Sequence, residues 1–146
     1  MQKRVIAKQL GELLIELGVI KQQQLDKALV VQKQKGGLIG EILVDLGFAK
    51  EEDIAQSITV QYGFPYLPLA NYDIMPEIIN IIPQKTARFY MLIPIDKMGN
   101  NLTIAMSNPL NTKAIEEIEL ISHCNVQIFV ATSSDIRNAI DKYYKL

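Results

Sequence analysis

The chain is short of the residues most catalytic chemistry needs. One cysteine, Cys124, among 146 residues excludes an intrachain disulfide framework and a multi-cysteine zinc site. A lone thiol fits a reducing, cytoplasmic setting. The single histidine, His123, stands next to it. Adjacent residues rarely aim at each other as a nucleophile and its base must. The pair therefore reads as a helix-terminal polar residue followed by a buried thiol. Charge of one sign is also lacking: 15 basic and 16 acidic residues leave a net charge of -1. That balance supplies no field to gather nucleic acid or an acidic membrane, so nucleic acid is not an expected partner.

No apolar run approaches the ~20 residues of a membrane span. The longest, "LLI" and "IINII", are core-sized, and no direct membrane insertion is expected. The opening "MQKRVIAKQLGELL" lacks the apolar centre and the cleavage site of a secretory signal. There is no G-x-x-x-x-G-K-[ST] phosphate loop. "GGLIG" at 36–40 has no lysine or hydroxyl after its last glycine and reads as a helix stop plus a helix start. Glu12, Glu16, Glu41, Asp45 and "EEIE" at 116–119 have the spacing of solvated helix faces. An enzyme acting alone is not expected.

What the chain does have is a small unit written twice. "LGELLIELGVI" at 10–20 returns as "IGEILVDLGFA" at 39–49, displaced by 29 residues. Residues 9–32 align with 38–61 around a five-residue spacer, "KQKGG". Leu10 pairs with Ile39, Gly11 with Gly40, Glu12 with Glu41, Leu14 with Leu43 and Gly18 with Gly47. Farther along, Leu25 pairs with Ile54, Leu29 with Ile58 and Gln32 with Gln61. One register holding all these pairs marks a true repeat.

Each unit reads as a helical hairpin. Leu10, Leu14 and Leu17 recur at helical spacing, and Gly18 follows as the left-handed stop. Leu25, Leu29 and Gln32 repeat the spacing on a second helix. Lys21 and Lys50 stand where a capping Ser or Asp is expected. Glu51, Glu52 and Asp53 offset this with negative charge at the helix start.

The character changes after residue 62. "YGFPYLPLANYDIMP" reads as an irregular connector that buries its tyrosines and leucines. "PEIINIIP" predicts a short helix ended by Pro83, and "QKTARFY" a further turn or two. "MLIPIDKM" and "NLTIAMS" predict a hairpin around "GNN", with Pro94 marking an edge or bulged strand. The next helix is capped by Asn111 or Thr112 and buries Ile115, Ile118 and Ile121. "VQIFVAT" is a third strand. The last helix has Ser133 or Ser134 as cap and Ile136, Ile140 and Tyr143 or Tyr144 inward. The expected class is α+β: a duplicated helical-hairpin subdomain at 1–62, a connector at 63–82 and an α+β subdomain with about three strands at 83–146.

The repeat resembles the MshEN-type N-terminal domain of type II secretion and type IV pilus assembly ATPases. That family's unit is RLGxx-φφ-xxG-φφ-xxxxLxxxLxxQ, with φ Leu, Val or Ile, used twice around a five-residue spacer. The second half, "IIPQKTARFYMLIPIDKMGNNLTIAMSNPLN" with its terminal "DIRNAIDKYY", is similar to the family's α+β part, so the resemblance covers nearly the whole chain.

The resemblance implies a non-catalytic regulatory and docking domain, cytoplasmic and peripheral to the inner membrane. Its implied partners are the platform proteins of the assembly and the ATPase core of the same longer chain. It also implies a ligand, cyclic-di-GMP, with no other cofactor. The implied contacts in the first unit are Gln9, Leu10, Gly11, Leu14 and Gly18, then Leu25, Leu29 and Gln32. In the second they are Leu38, Ile39, Gly40, Leu43 and Gly47, then Ile54, Ile58 and Gln61. Glycines let backbone amides approach phosphate, and the aliphatic faces suit flat bases.

The family's leading arginine, a fork for the O6/N7 edge of guanine, is absent twice. Gln9 and Leu38 take its place. At ~1–3 kcal/mol per contact, the two losses together amount to ~2–6 kcal/mol if they add. Arg4, Lys8, Lys33 and Lys35 lie near the unit starts, although lysine is a point charge rather than a fork.

Overall fold

Residues 10–144 are described by the computed structural model. The repeat folds into four helices, α1 (Leu10–Glu16), α2 (Gln22–Lys35), α3 (Ile39–Asp45) and α4 (Glu51–Tyr62). Both units stop their first helix in the same way. Gly18 and Gly47 take φ of +76° and +79°. Gly18 N–H donates to Ile15 O at 3.0 Å and Val19 N–H to Leu14 O at 2.9 Å. Gly47 to Val44 (3.0 Å) and Phe48 to Leu43 (2.9 Å) repeat this pattern. These paired bonds are a Schellman stop, which asks its glycine for a left-handed backbone. Gly47→Ala is expected to lower stability by about 1 kcal/mol, read as a shifted urea midpoint. An unchanged midpoint would refute it.

Gly11 and Gly40 answer to packing instead. A Cβ at Gly11 would lie 2.6 Å from Leu25 Cδ1, and one at Gly40 3.2 Å from Leu10 Cδ2. Gly11 lets α2 lie close to α1, and Gly40 lets α1 lie close to α3.

Three local expectations change. Lys33–Lys35 of the spacer are the last turn of α2, which breaks only at Gly36 (φ +76°). Leu17 lies beyond the end of α1 and is 45% exposed, so the buried face is Leu10, Leu13 and Leu14. Lys21 offers no acceptor, but Gln24 Oε1 accepts from Lys21 N–H at 2.8 Å and supplies one arm of a capping box.

The second half begins with a 3-10 turn (Leu69–Asn71), α5 (Pro76–Ile79) and α6 (Gln84–Tyr90). Then come β1 (Leu92–Met98), β2 (Asn101–Met106), α7 (Thr112–Ser122), β3 (Asn125–Val130) and α8 (Ser133–Tyr143). The class is α+β. The sheet order is β1-β2-β3. β1 and β2 form the antiparallel hairpin, and β2 and β3 run parallel. Pro94 sits on the outer strand with a register shift between Pro94 and Asp96, so it marks both an edge and a bulge. The connector adds one rung beside β3: Val130 N–H donates to Pro65 O at 2.8 Å and Leu67 N–H to Val130 O at 2.9 Å.

Leu92, Ile104, Met106, Ile118 and Ile136 are fully buried in the sheet half, as are Leu14, Leu43 and Ile58 in the helical half, within one apolar cluster. Asn111 caps α7, its Oδ1 accepting from Ala114 N–H at 3.2 Å. Ile121 is 37% exposed, because the buried stripe runs through Ala114, Ile115 and Ile118 and leaves it at the margin. α8 is capped by Thr132, not Ser133 or Ser134: Thr132 Oγ1 accepts from Asp135 N–H at 3.2 Å. Both terminal tyrosines point inward. Tyr143 donates to Tyr72 O at 3.0 Å and Tyr144 to Ile82 O at 2.8 Å. Burial raises the Tyr144 hydroxyl above its usual range. His123 closes α7 in the left-handed region (φ +57°), and the Cys124 thiol is buried.

Candidate functional site

Because β2 and β3 are parallel, their carboxyl ends lie together. β2 runs through Ser107–Asn111 into α7, and β3 runs through Ala131–Thr132 into α8. Crevices outside such strand ends are the usual ligand sites of open sheets with parallel strands. Here the repeated hairpins cover that end, and two cavities lie between the halves.

The larger has a volume of about 930 Å³. Leu10, Gly11, Glu12, Gln22 and Leu25 line it from the first unit. Asn108, Asn111, Thr112 and Lys113 face them from the β2–α7 turn and the start of α7. The smaller has a volume of about 160 Å³. Ile39, Gly40, Glu41, Glu51 and Ile54 line it from the second unit, with Asn108, Asn111 and Ser133 opposite. Each second-unit residue in this set stands 29 positions after its first-unit counterpart. The two cavities are thus repeat-related half-sites. Leu10, Gln32 and Ile39 border both.

Two bridges join the halves beside the smaller cavity. Glu51 Oε1 accepts from Ser134 N–H at 2.7 Å and from Ser134 Oγ at 2.8 Å. Glu41 accepts from Arg137. Neither carboxylate is therefore merely a solvated or dipole-balancing charge. Tyr66 is raised by burial, then by Asp135, Glu52 and Glu51, which marks the negative character of this corner. In the larger cavity Gln32 Nε2 donates to Gly37 O at 2.9 Å. Asn108 Oδ1 accepts from Leu110 N–H at 3.1 Å. One amide so keeps an acceptor for a ligand and the other a donor.

The predicted contacts separate into groups. Leu10, Gly11, Leu25, Leu29 and Gln32 line the larger cavity, and Leu38, Ile39, Gly40 and Ile54 the smaller. Leu14, Leu43 and Ile58 are fully buried in the core and touch neither. Gly18 and Gly47 lie at the far ends of their helices as stops. Gln61 is exposed in the last turn of α4 and lines neither cavity. Gln9, Arg4 and Lys8 lie outside the described residues. Lys33 and Lys35 are exposed on α2 and line neither cavity, whereas Lys113 places its charge at the larger one. The whole contribution of residues 107–113 escaped the repeat; its only trace is "NPLN", a capped turn between a strand and a helix. Among the described residues no group of three or more His, Cys, Asp or Glu gathers to hold a metal.

Helical hairpins docked on the strand ends of a small sheet define an α+β module of the fold seen in the N-terminal domain of XpsE. That structure is 20% identical and covers 99% of this chain and 100% of its own, with a TM-score of 0.78. The chain belongs to the MshEN domain family, whose model matches residues 62–146. That match falls on the half outside the repeat.

Relatives extend the likeness to both halves. Type IV pilus assembly ATPase PilB of Myxococcus xanthus is 35% identical over 92% of this chain. PilB of Thermus thermophilus is 32% identical over 94%. The chain spans 24% and 16% of the lengths of these relatives. A solved structure of MshE with cdg is 29% identical and covers 94% of this chain and 100% of its own, at a TM-score of 0.69. No helix among the described residues is long and apolar enough to cross a membrane.

Proposed function

We propose that this chain is a regulatory and docking domain of a type IV pilus or type II secretion ATPase, without catalytic chemistry of its own. It couples the motor to the platform proteins of the inner membrane from the cytoplasmic side and works beside the ATPase core of a longer chain. The observation that carries this reading is the similarity to PilB over 92% of the chain. The test is a pull-down of the full-length ATPase with the cytoplasmic domain of the cognate platform protein. Capture that survives deletion of this domain removes the docking role.

The paired half-sites favour a second role within the first, as a receptor for cyclic-di-GMP. Motif residues of both units converge on cavities at the strand ends. The larger volume lies within the ~300–1,000 Å³ usual for small-molecule sites. The likeness to MshE, solved with cdg, supports the same ligand. Isothermal titration of the purified chain should give saturable heat, weaker than an arginine-bearing site would give. A flat trace at millimolar ligand sinks the receptor role.

A further inference from the structure

The two half-sites match in sequence register but not in state. The first has a volume of about 930 Å³ and the second is narrow, at about 160 Å³. The second lies well below the ~300 Å³ at which small-molecule sites begin. Two bridges stand beside it. Glu41 and Glu51, both lining the cavity, reach across to α8, one to Arg137 and the other to the backbone and hydroxyl of Ser134. Their counterparts 29 residues earlier, Glu12 and Gln22, line the larger cavity. Gln22 bonds within its own helix, Nε2 donating to Asp26 at 2.9 Å. The same positions thus reach α8 at one half-site and, in Gln22, turn back on their own helix at the other.

We propose that the Glu41–Arg137 and Glu51–Ser134 bridges are an autoinhibitory latch on the second half-site, and that a two-fold ligand must break it to seat fully. The first half of the ligand enters the larger cavity beside Lys113. The second half enters only when the bridges part and α3 and α4 lift from α8. Ligand occupancy is thereby linked to the angle between the halves, the quantity an attached motor can sense. Parting exchanges charge-assisted bonds for ligand contacts, so the latch subtracts from the observed affinity. This inference rests on the receptor reading above.

The test is titration of the purified chain with cyclic-di-GMP, comparing the wild type with Arg137→Gln and Glu51→Gln. The Arg137–Glu41 side chains are 49% and 21% exposed, and such a pair adds little to stability. Glutamine at 51 keeps an acceptor for Ser134. Both variants should therefore fold, as far-UV circular dichroism will verify. Arg137→Gln is the sharper probe. It removes a positive charge, so electrostatics alone predict weaker binding of an anionic ligand. The latch predicts tighter binding, up to about fivefold, the equivalent of the ~1 kcal/mol that such a pair can hold back.

Nuclear magnetic resonance supplies a second readout. The Ser134 amide, bonded to Glu51 in the free protein, should exchange faster with solvent once ligand is bound. Equal or weaker binding by Arg137→Gln, with the wild type still binding, overturns the latch and leaves the receptor reading standing. Binding by Arg137→Gln alone supports the latch. Absence of binding by wild type and both variants overturns both readings.

Discussion

Ile58→Asp abolishes the cooperative unfolding transition of this domain. Ile58 lies in α4 and is fully buried. Removing its side chain costs about 2–5 kcal/mol in lost packing. The unpaired carboxylate left in its place costs several more. Together these approach the whole stability of an ordinary domain, about 5–15 kcal/mol. Loss of helical signal in far-UV circular dichroism and of a sigmoidal urea curve is the expected result. A two-state curve close to that of the wild type would refute it. Its repeat partner behaves differently. Leu29 is 44% exposed and lines the larger cavity. Leu29→Asp should therefore leave the fold intact and, on the receptor reading, weaken only the binding of the ligand.

On the receptor reading, Leu38→Arg strengthens cyclic-di-GMP binding. Leu38 lines the smaller cavity and precedes α3 with an extended backbone (φ -90°, ψ 135°) and no capping bond to lose. Arginine there restores the fork that reads the O6/N7 edge of guanine, worth ~1–3 kcal/mol of base discrimination. That converts to roughly fivefold to 150-fold in affinity. Cyclic-di-AMP serves as the control in the same titration. A gain confined to the guanine ligand marks base recognition. An equal gain for both marks added charge only, and no gain would mean that position 38 does not face the base.

The repeat was legible because its signals are local. A glycine that must turn left-handed needs no tertiary partner to be recognised at the end of an apolar spacing, and both Schellman stops fell where the sequence put them. The hairpin turn and the Pro94 edge were legible for the same reason. Caps were less so: "TSS" offers three hydroxyls in a row, and the backbone chose Thr132. The site was half legible. Register selected Leu10, Gly11, Ile39 and Gly40, but could not separate Leu14, Leu43 and Ile58, which pack, from Leu25, Leu29 and Ile54, which border the cavities. Nothing local announces that residues 107–113 will face the hairpins. Glu51 shows why. Its charge suited the start of its own helix, yet its carboxylate serves the start of α8, 83 positions away.

The rung that residues 65–67 lay beside Val130 has a consequence for assembly. With Pro94 and its bulge on one side of the sheet and this rung at the end of the other, neither margin offers a long clean row of unpaired amides. A foreign chain gains little by adding itself as a fourth strand. On the docking reading, neighbours in a pilus or secretion machine would read this module through side chains on its helices. On that reading they would dissociate and rebind as the motor cycles without unzipping backbone from backbone.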